Sequence, residues 1–275
     1  MMRHLRQVAG FTLIEMIMAI TITGIVAGMV AVFIRAPVEG YVDSVRRAEL
    51  TDTADVALRR IARDVRLALP NSLRVTAAGG VNYIEFVMTR SGGRYRDPAD
   101  GSTAGDFLSF TSAADTTFDV LGPLPAMAVN DFIVIYNLGV PGSDAYAGNN
   151  RAQIAGVAGN TITLAANPFA VQTPPLPSPS ARFQVVPGGE QAVTYACPQV
   201  AAGNLTRHWG YGFNAAQAVP AGGNSALLAT NATCEVDYLS AATGRNGLLY
   251  VRLTLTDASG ESAVLFQQIH VDNAP

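Results

Sequence analysis

Residues 10–34 read GFTLIEMIMAITITGIVAGMVAVFI, an apolar run holding a single carboxylate, Glu15, five residues after a glycine. From Phe11 to Ile34 the run has about 24 residues and as a helix spans roughly 36 Å, enough to cross the hydrocarbon core of a bilayer with some tilt. It is longer than the roughly 7–15 apolar residues of a secretory signal, so it is expected to stay on the chain as an anchor. The residues before it, MMRHLRQVAG, carry Arg3 and Arg6, as a cytoplasmic flank does. Arg35, Arg46 and Arg47 follow on the other side, so the positive-inside count does not orient the span. An acidic side chain in a membrane span costs on the order of 3 kcal/mol at the centre and less near an end, which makes Glu15 a candidate functional residue. A cation beside it removes that cost, and an α-amine created on Phe11 of a neighbouring chain by cleavage after Gly10 is such a cation. The alternative is a carboxylate that merely sits at the interfacial level. Gly24 and Gly28 form a small-xxx-small step that permits close helix packing, or equally lets the helix bend or melt.

Beyond the span, Pro37 predicts a kink or short break near Ala36. Leu50, Ala54, Leu58, Ile61, Val65 and Leu69 then recur at three- and four-residue spacing, an amphipathic helix expected to stop at Pro70. Arg59, Arg60, Arg63, Asp64 and Arg66 fall mostly on its other faces, either solvated or turned to a partner subunit. From Leu73 the periodicity changes. VNYIEFVM, DFLSF, DFIVIYN, NTITLA, ARFQVV, AVTYAC, CEVDYL, GLLYVRLTLTD and ESAVLFQQIHV are β-branched or aromatic runs separated by Gly, Pro, Asn, Asp and Ser. The last two, split by ASG, read as a hairpin. One long helix followed by many short strands implies an α+β fold in which the helix over 45–69 packs on an antiparallel sheet. The stiff segment TPPLPSPS at 173–180 either divides the β region into two lobes or forms a surface loop.

Composition bounds the remaining possibilities. With 49% hydrophobic and 14% charged side chains, 275 residues fill a sizeable core. A net charge of −3, with arginine supplying every basic side chain, gives no general attraction for nucleic acid. Cys197 and Cys234 are expected to form one disulfide in an exported domain, worth about 4 kcal/mol in the chain-entropy model; two unlinked buried thiols are the alternative. Two cysteines without clustered histidines do not make a structural zinc site.

Arg90, Arg94 and Arg96 around Tyr95 in RSGGRYR are a candidate ligand surface for phosphate or a stacked base, against the plainer reading of a charged hairpin tip. Asp97, Asp100 and Asp106 supply oxygens of the kind calcium uses, but not at EF-hand spacing. The loop 138–151, with Tyr146, is either an adhesive or subunit-contact surface or plain solvent loop. His4, His208 and His270 begin no H-E-x-x-H run, and no nucleophile elbow or phosphate-binding loop is present, so catalysis, cofactor and metal are not expected.

A short basic leader ending in Gly10, then Phe11, TLIE and an apolar helix resembles the prepilin signal of type IV pilins and of type II secretion pseudopilins. The resemblance implies that a prepilin peptidase cuts between Gly10 and Phe11 and methylates the new N-terminus, and that Glu15 is the assembly residue. YVDSVRRAELTDTADVALRRIARDVRLALPNSLRV, IEFV, GGRYR, IVIYNLG, the two-cysteine region and QIHVDNAP are similar to the MshO-type minor pilins of the mannose-sensitive haemagglutinin (MSHA) pilus. The implied organisation is a leader at 1–10, an assembly helix at 11–34, an amphipathic stem at 35–70 and a β-rich domain at 71–275. The implied partners are other pilin subunits, the peptidase and an inner-membrane assembly platform. A secretion pseudopilin and a tip adhesin or DNA-binding module are the alternatives.

Overall fold

A computed structural model describes residues 10–98, 104–217, 219–240 and 246–275, and the chain divides at Glu49/Leu50 into two units. Most of the leader, with Arg3, His4 and Arg6, lies outside the described residues, as does Asp100. Among the described residues there is one α-helix, α1 (Leu13–Val65).

In the first unit, Leu13, Ile14, Met16, Ile17, Met18, Ile20, Ile22, Ile25 and Val26 of α1 are all exposed. They cover every face of the helix, a distribution suited to lipid or to other apolar helices rather than to water. Pro37 sits inside α1, and the helix continues where a break was expected near Ala36. Proline removes a single N–H from the ladder, and Arg35 pairs with Glu39 across the position at 2.9 Å.

In the second unit, Ala54, Ala57, Leu58, Ile61, Ala62 and Val65 are buried along one stripe of α1. The helix ends at Val65, four residues before Leu69. Ala68 bridges to Met88, and the Leu69 amide donates to the Val87 carbonyl at 2.8 Å, so these residues join a sheet edge before Pro70 is reached.

The strands, in chain order, are β1 (Arg74–Ala78), β2 (Val81–Val87), β3 (Ser91–Arg94), β4 (Thr117–Asp119), β5 (Phe132–Val134), β6 (Arg151–Ala158), β7 (Thr161–Leu164), β8 (Arg182–Val186), β9 (Ala192–Pro198), β10 (Gly203–Trp209), β11 (Asn224–Leu239), β12 (Asn246–Thr256) and β13 (Ser262–Asp272). They form two antiparallel sheets, ordered β1-β2-β9-β10-β11-β12-β13 and β3-β8-β5-β6-β7-β4. The architecture is the expected α+β layout of one long N-terminal helix followed by antiparallel sheets. The hairpin of β12 and β13 runs in register from Asn246↔Asp272 to Thr256↔Ser262.

The second sheet is an insertion between β2 and β9. The chain enters it after Met88 and returns after Val186, so the sheets part at those two links and not at the Pro-rich segment 173–180. That segment joins β7 to β8 within one sheet, because β8 pairs with both β3 and β5. DFLSF is not a strand. Leu108 is buried, and Phe110 packs between Tyr95 and Phe169 at ring distances of 5.8 and 6.3 Å.

The apolar stripe of α1 faces Ile84, Phe86, Val193, Leu205, Val251 and Leu253 of the first sheet. A second cluster, including Phe118, Ile133, Ile154 and Phe183, fills the inserted sheet. A third, with Leu69, Val87, Val134 and Val186, joins the two sheets.

Candidate functional site

The first turn of α1 is closed by two side chains. The Glu15 amide donates to Thr12 Oγ1 at 3.3 Å, while the Thr12 amide and hydroxyl donate to Glu15 Oε2 at 3.0 and 3.1 Å. This is a reciprocal capping box, in which residues three apart satisfy amides that a helix start otherwise leaves unpaired. Its carboxylate also lies at the positive end of the helix dipole. Sequence reasoning singled out Glu15 and missed Thr12, although T-x-x-E ahead of an apolar run is a capping signal.

Gly10 and Phe11 precede the cap and are exposed, and a Cβ at Gly10 would meet nothing within 4 Å. The bond between them is therefore accessible in this chain. Its hydrolysis would place a new α-amine one residue before Thr12, in the same turn region as the Glu15 carboxylate. Gly24 and Gly28 also have no neighbour within 4 Å, leaving their shared helix face open to close approach.

The other sequence candidates are not brought together. Tyr95 is fully buried, its hydroxyl accepts the Ser178 amide at 3.0 Å, and burial pushes its pKa up to about 12. Its ring is therefore unavailable for stacking on a base. Arg90 pairs with Asp131 at 2.9 Å, Arg94 donates to the Ser180 carbonyl at 3.1 Å, and Arg96 lies beside Asp119. The intervening glycines do not form a hairpin tip. A Cβ on Gly93 would stand 2.6 Å from the Phe183 ring, so β3 needs glycine to lie against β8.

Tyr146 is buried in its loop, donates its hydroxyl to the Ser72 carbonyl at 3.0 Å, and carries the Arg74 guanidinium 3.7 Å above its ring. Asp106 is tied to Asp119 through its main chain, at 2.9 Å in each direction. His208 stands 2.9 Å from Thr206 Oγ1, and burial lowers its pKa; His270 is exposed on β13.

Two polar networks were not anticipated. Asp64, counted with the charged helix face, is buried and accepts from the Tyr195 hydroxyl at 2.7 Å and from Arg207 Nε at 2.9 Å. Burial, and next the nearby Asp64 carboxylate, raise the Tyr195 pKa. Glu85, fully buried, accepts from Arg74 Nε at 2.7 Å and from the Tyr211 hydroxyl at 2.9 Å.

Cys197 of β9 and Cys234 of β11, the strands flanking β10, are joined in a disulfide with Cα atoms 5.6 Å apart. It closes a separation of 37 residues, so reduction of the full chain is expected to lower stability by about 4 kcal/mol. Urea unfolding in detergent, with and without reductant, measures this; an unchanged midpoint contradicts it.

Residues 5–31 match the family described as the prokaryotic N-terminal methylation motif. No similar curated protein and no similar solved structure was found. The motif is a type IV pilin-like prepilin signal. With the apolar helix that follows, it supports a membrane-anchored pilin or pseudopilin-like subunit. It points to a structural subunit rather than an enzyme, one that interacts with a prepilin peptidase and with other pilus components in general.

Proposed function

We infer that the chain is a minor pilin of a type IV pilus of the MSHA class. The observation that carries this reading is the methylation motif over residues 5–31, read onto a helix whose first turn holds Glu15. The prepilin is held in the inner membrane by one span, with its N-terminus cytoplasmic and its β-rich domain in the periplasm. That oxidising compartment suits the Cys197–Cys234 bond.

Prepilin peptidase cleaves between Gly10 and Phe11 and methylates Phe11. The apolar helix then leaves the bilayer through the assembly platform and packs among the helices of other subunits. Glu15 neutralises the amino terminus of a neighbour within that apolar bundle. The likeness of the later segments to MshO-type subunits favours a place at fibre initiation or at the tip. The test is deletion of the gene in its host, with complementation. Loss of shearable surface fibres, with export of folded proteins intact, is the expected result; intact fibres with failed export would assign the chain to type II secretion instead.

A further inference from the structure

A cleft of about 460 Å³ opens in the second unit between the end of α1, the link from β2 to β3, the 187–190 link and β10. Its walls carry four guanidinium groups, from Arg60, Arg63, Arg90 and Arg207, against two carboxylates, from Asp64 and Glu190. Most of these charges are already committed. Asp64 accepts from Arg207 Nε at 2.9 Å and from Tyr195, and Arg63 reaches its other oxygen only at 3.6 Å. Glu190 stands 3.6 Å from Arg207 Nη2, and Arg90 is held at 2.9 Å by Asp131 from behind the wall. Counting Asp131, four positive groups face three negative ones, which leaves one guanidinium uncompensated.

That group is Arg60. Its Nε is shielded from solvent and has no hydrogen-bond partner. A shielded guanidinium N–H without an acceptor is unfavourable, and an oxyanion is the acceptor that answers both its charge and its geometry, because guanidinium donors pair in a planar fork with carboxylate or phosphate.

We propose that this cleft is an oxyanion-binding site, with Arg60 as its principal donor and the largely exposed Arg63 as its second. Neither the pilin reading nor the N-terminal motif requires such a site, and it stands if that reading fails. The ligand class is a small anion bearing a phosphate or carboxylate group.

The test uses the full chain in detergent, with thermal unfolding followed as chloride is replaced at constant ionic strength by inorganic phosphate or, separately, by acetate. The expected result is a saturable rise in Tm. Arg60→Gln should weaken the apparent affinity about tenfold or more, the loss of one hydrogen bond to a charged group, and Arg63→Gln by a smaller factor. Arg59→Gln, on an exposed residue paired with Asp55, should leave it unchanged. A rise with phosphate alone identifies an inorganic or phosphoryl ligand; a rise with acetate as well identifies a carboxylate-bearing one. No saturable rise with either anion, or an equal rise in Arg60→Gln and Arg63→Gln, overturns the proposal.

Discussion

Glu15→Gln in the full-length chain is expected to leave cleavage after Gly10 intact while lowering incorporation into sheared fibres by about tenfold or more. The size follows from losing one charge-assisted interaction in an apolar surround. Glutamine keeps an oxygen that can accept the Thr12 amide, so the capping box survives in half-strength form while the charge disappears. Glu15→Ala removes both and should assemble no better. Thr12→Ala separates the two roles from the other side. It loses the cap oxygen, worth about 1 kcal/mol of helix stability, but keeps the carboxylate, so its fibres should be only modestly reduced. Immunoblots of sheared and cell-bound fractions measure all three. If Glu15→Gln assembles as well as the parent, the carboxylate matters only as a cap and the charge-pairing role is wrong.

The second large effect lies in the β-rich unit. Asp64→Ala is expected to lower unfolding stability by about 3 kcal/mol, because it strands Arg207 in the interior and leaves the Tyr195 hydroxyl without its acceptor. Glu190, 3.6 Å from Arg207, compensates in part and keeps the cost at the lower end of the usual range for a broken buried pair. Replacing both partners by apolar residues of similar volume, Asp64→Leu with Arg207→Met, should recover most of the loss, since no uncompensated charge is left inside. Urea unfolding of the full chain in detergent gives both values. A single-variant loss below about 1 kcal/mol, or a double variant no more stable than the single, contradicts the network as described.

Local pattern carried much of the design. The run from Phe11 to Ile34, the stripe through Ala54, Leu58 and Ile61, and the hairpin of β12 and β13 each follow from short-range spacing that the fold keeps. What spacing does not contain is pairing between distant segments. Asp64 reads as one more charge on a polar helix face, and its partner Arg207 lies 143 residues away. β6, RAQIAGVA, and β10, GNLTRHW, hold too many small or charged residues to stand out by β propensity, and are strands because each lies between two pairing neighbours, β5 and β7 for the one and β9 and β11 for the other. Pairing also decided the placement of the Pro-rich segment, since β8 returns to the sheet it follows.

Some misread signals were present in the sequence. Arg94-Tyr95-Arg96 alternates with the two-residue period of an extended strand, which turns Tyr95 inward between an exposed Arg94 and a half-buried Arg96. In TLIE the carboxylate drew attention as a membrane charge, while the threonine three residues earlier already marked the helix start.

On the proposed pilin reading, the chain is trimmed between Gly10 and Phe11 and built into a fibre through the helix that follows. Mass spectrometry of the N-terminal peptide from fibres sheared off the cell surface tests it most directly. The expected result is a peptide beginning at methylated Phe11. Chain found only in membranes, uncut and beginning at Met1 or Met2, would contradict it.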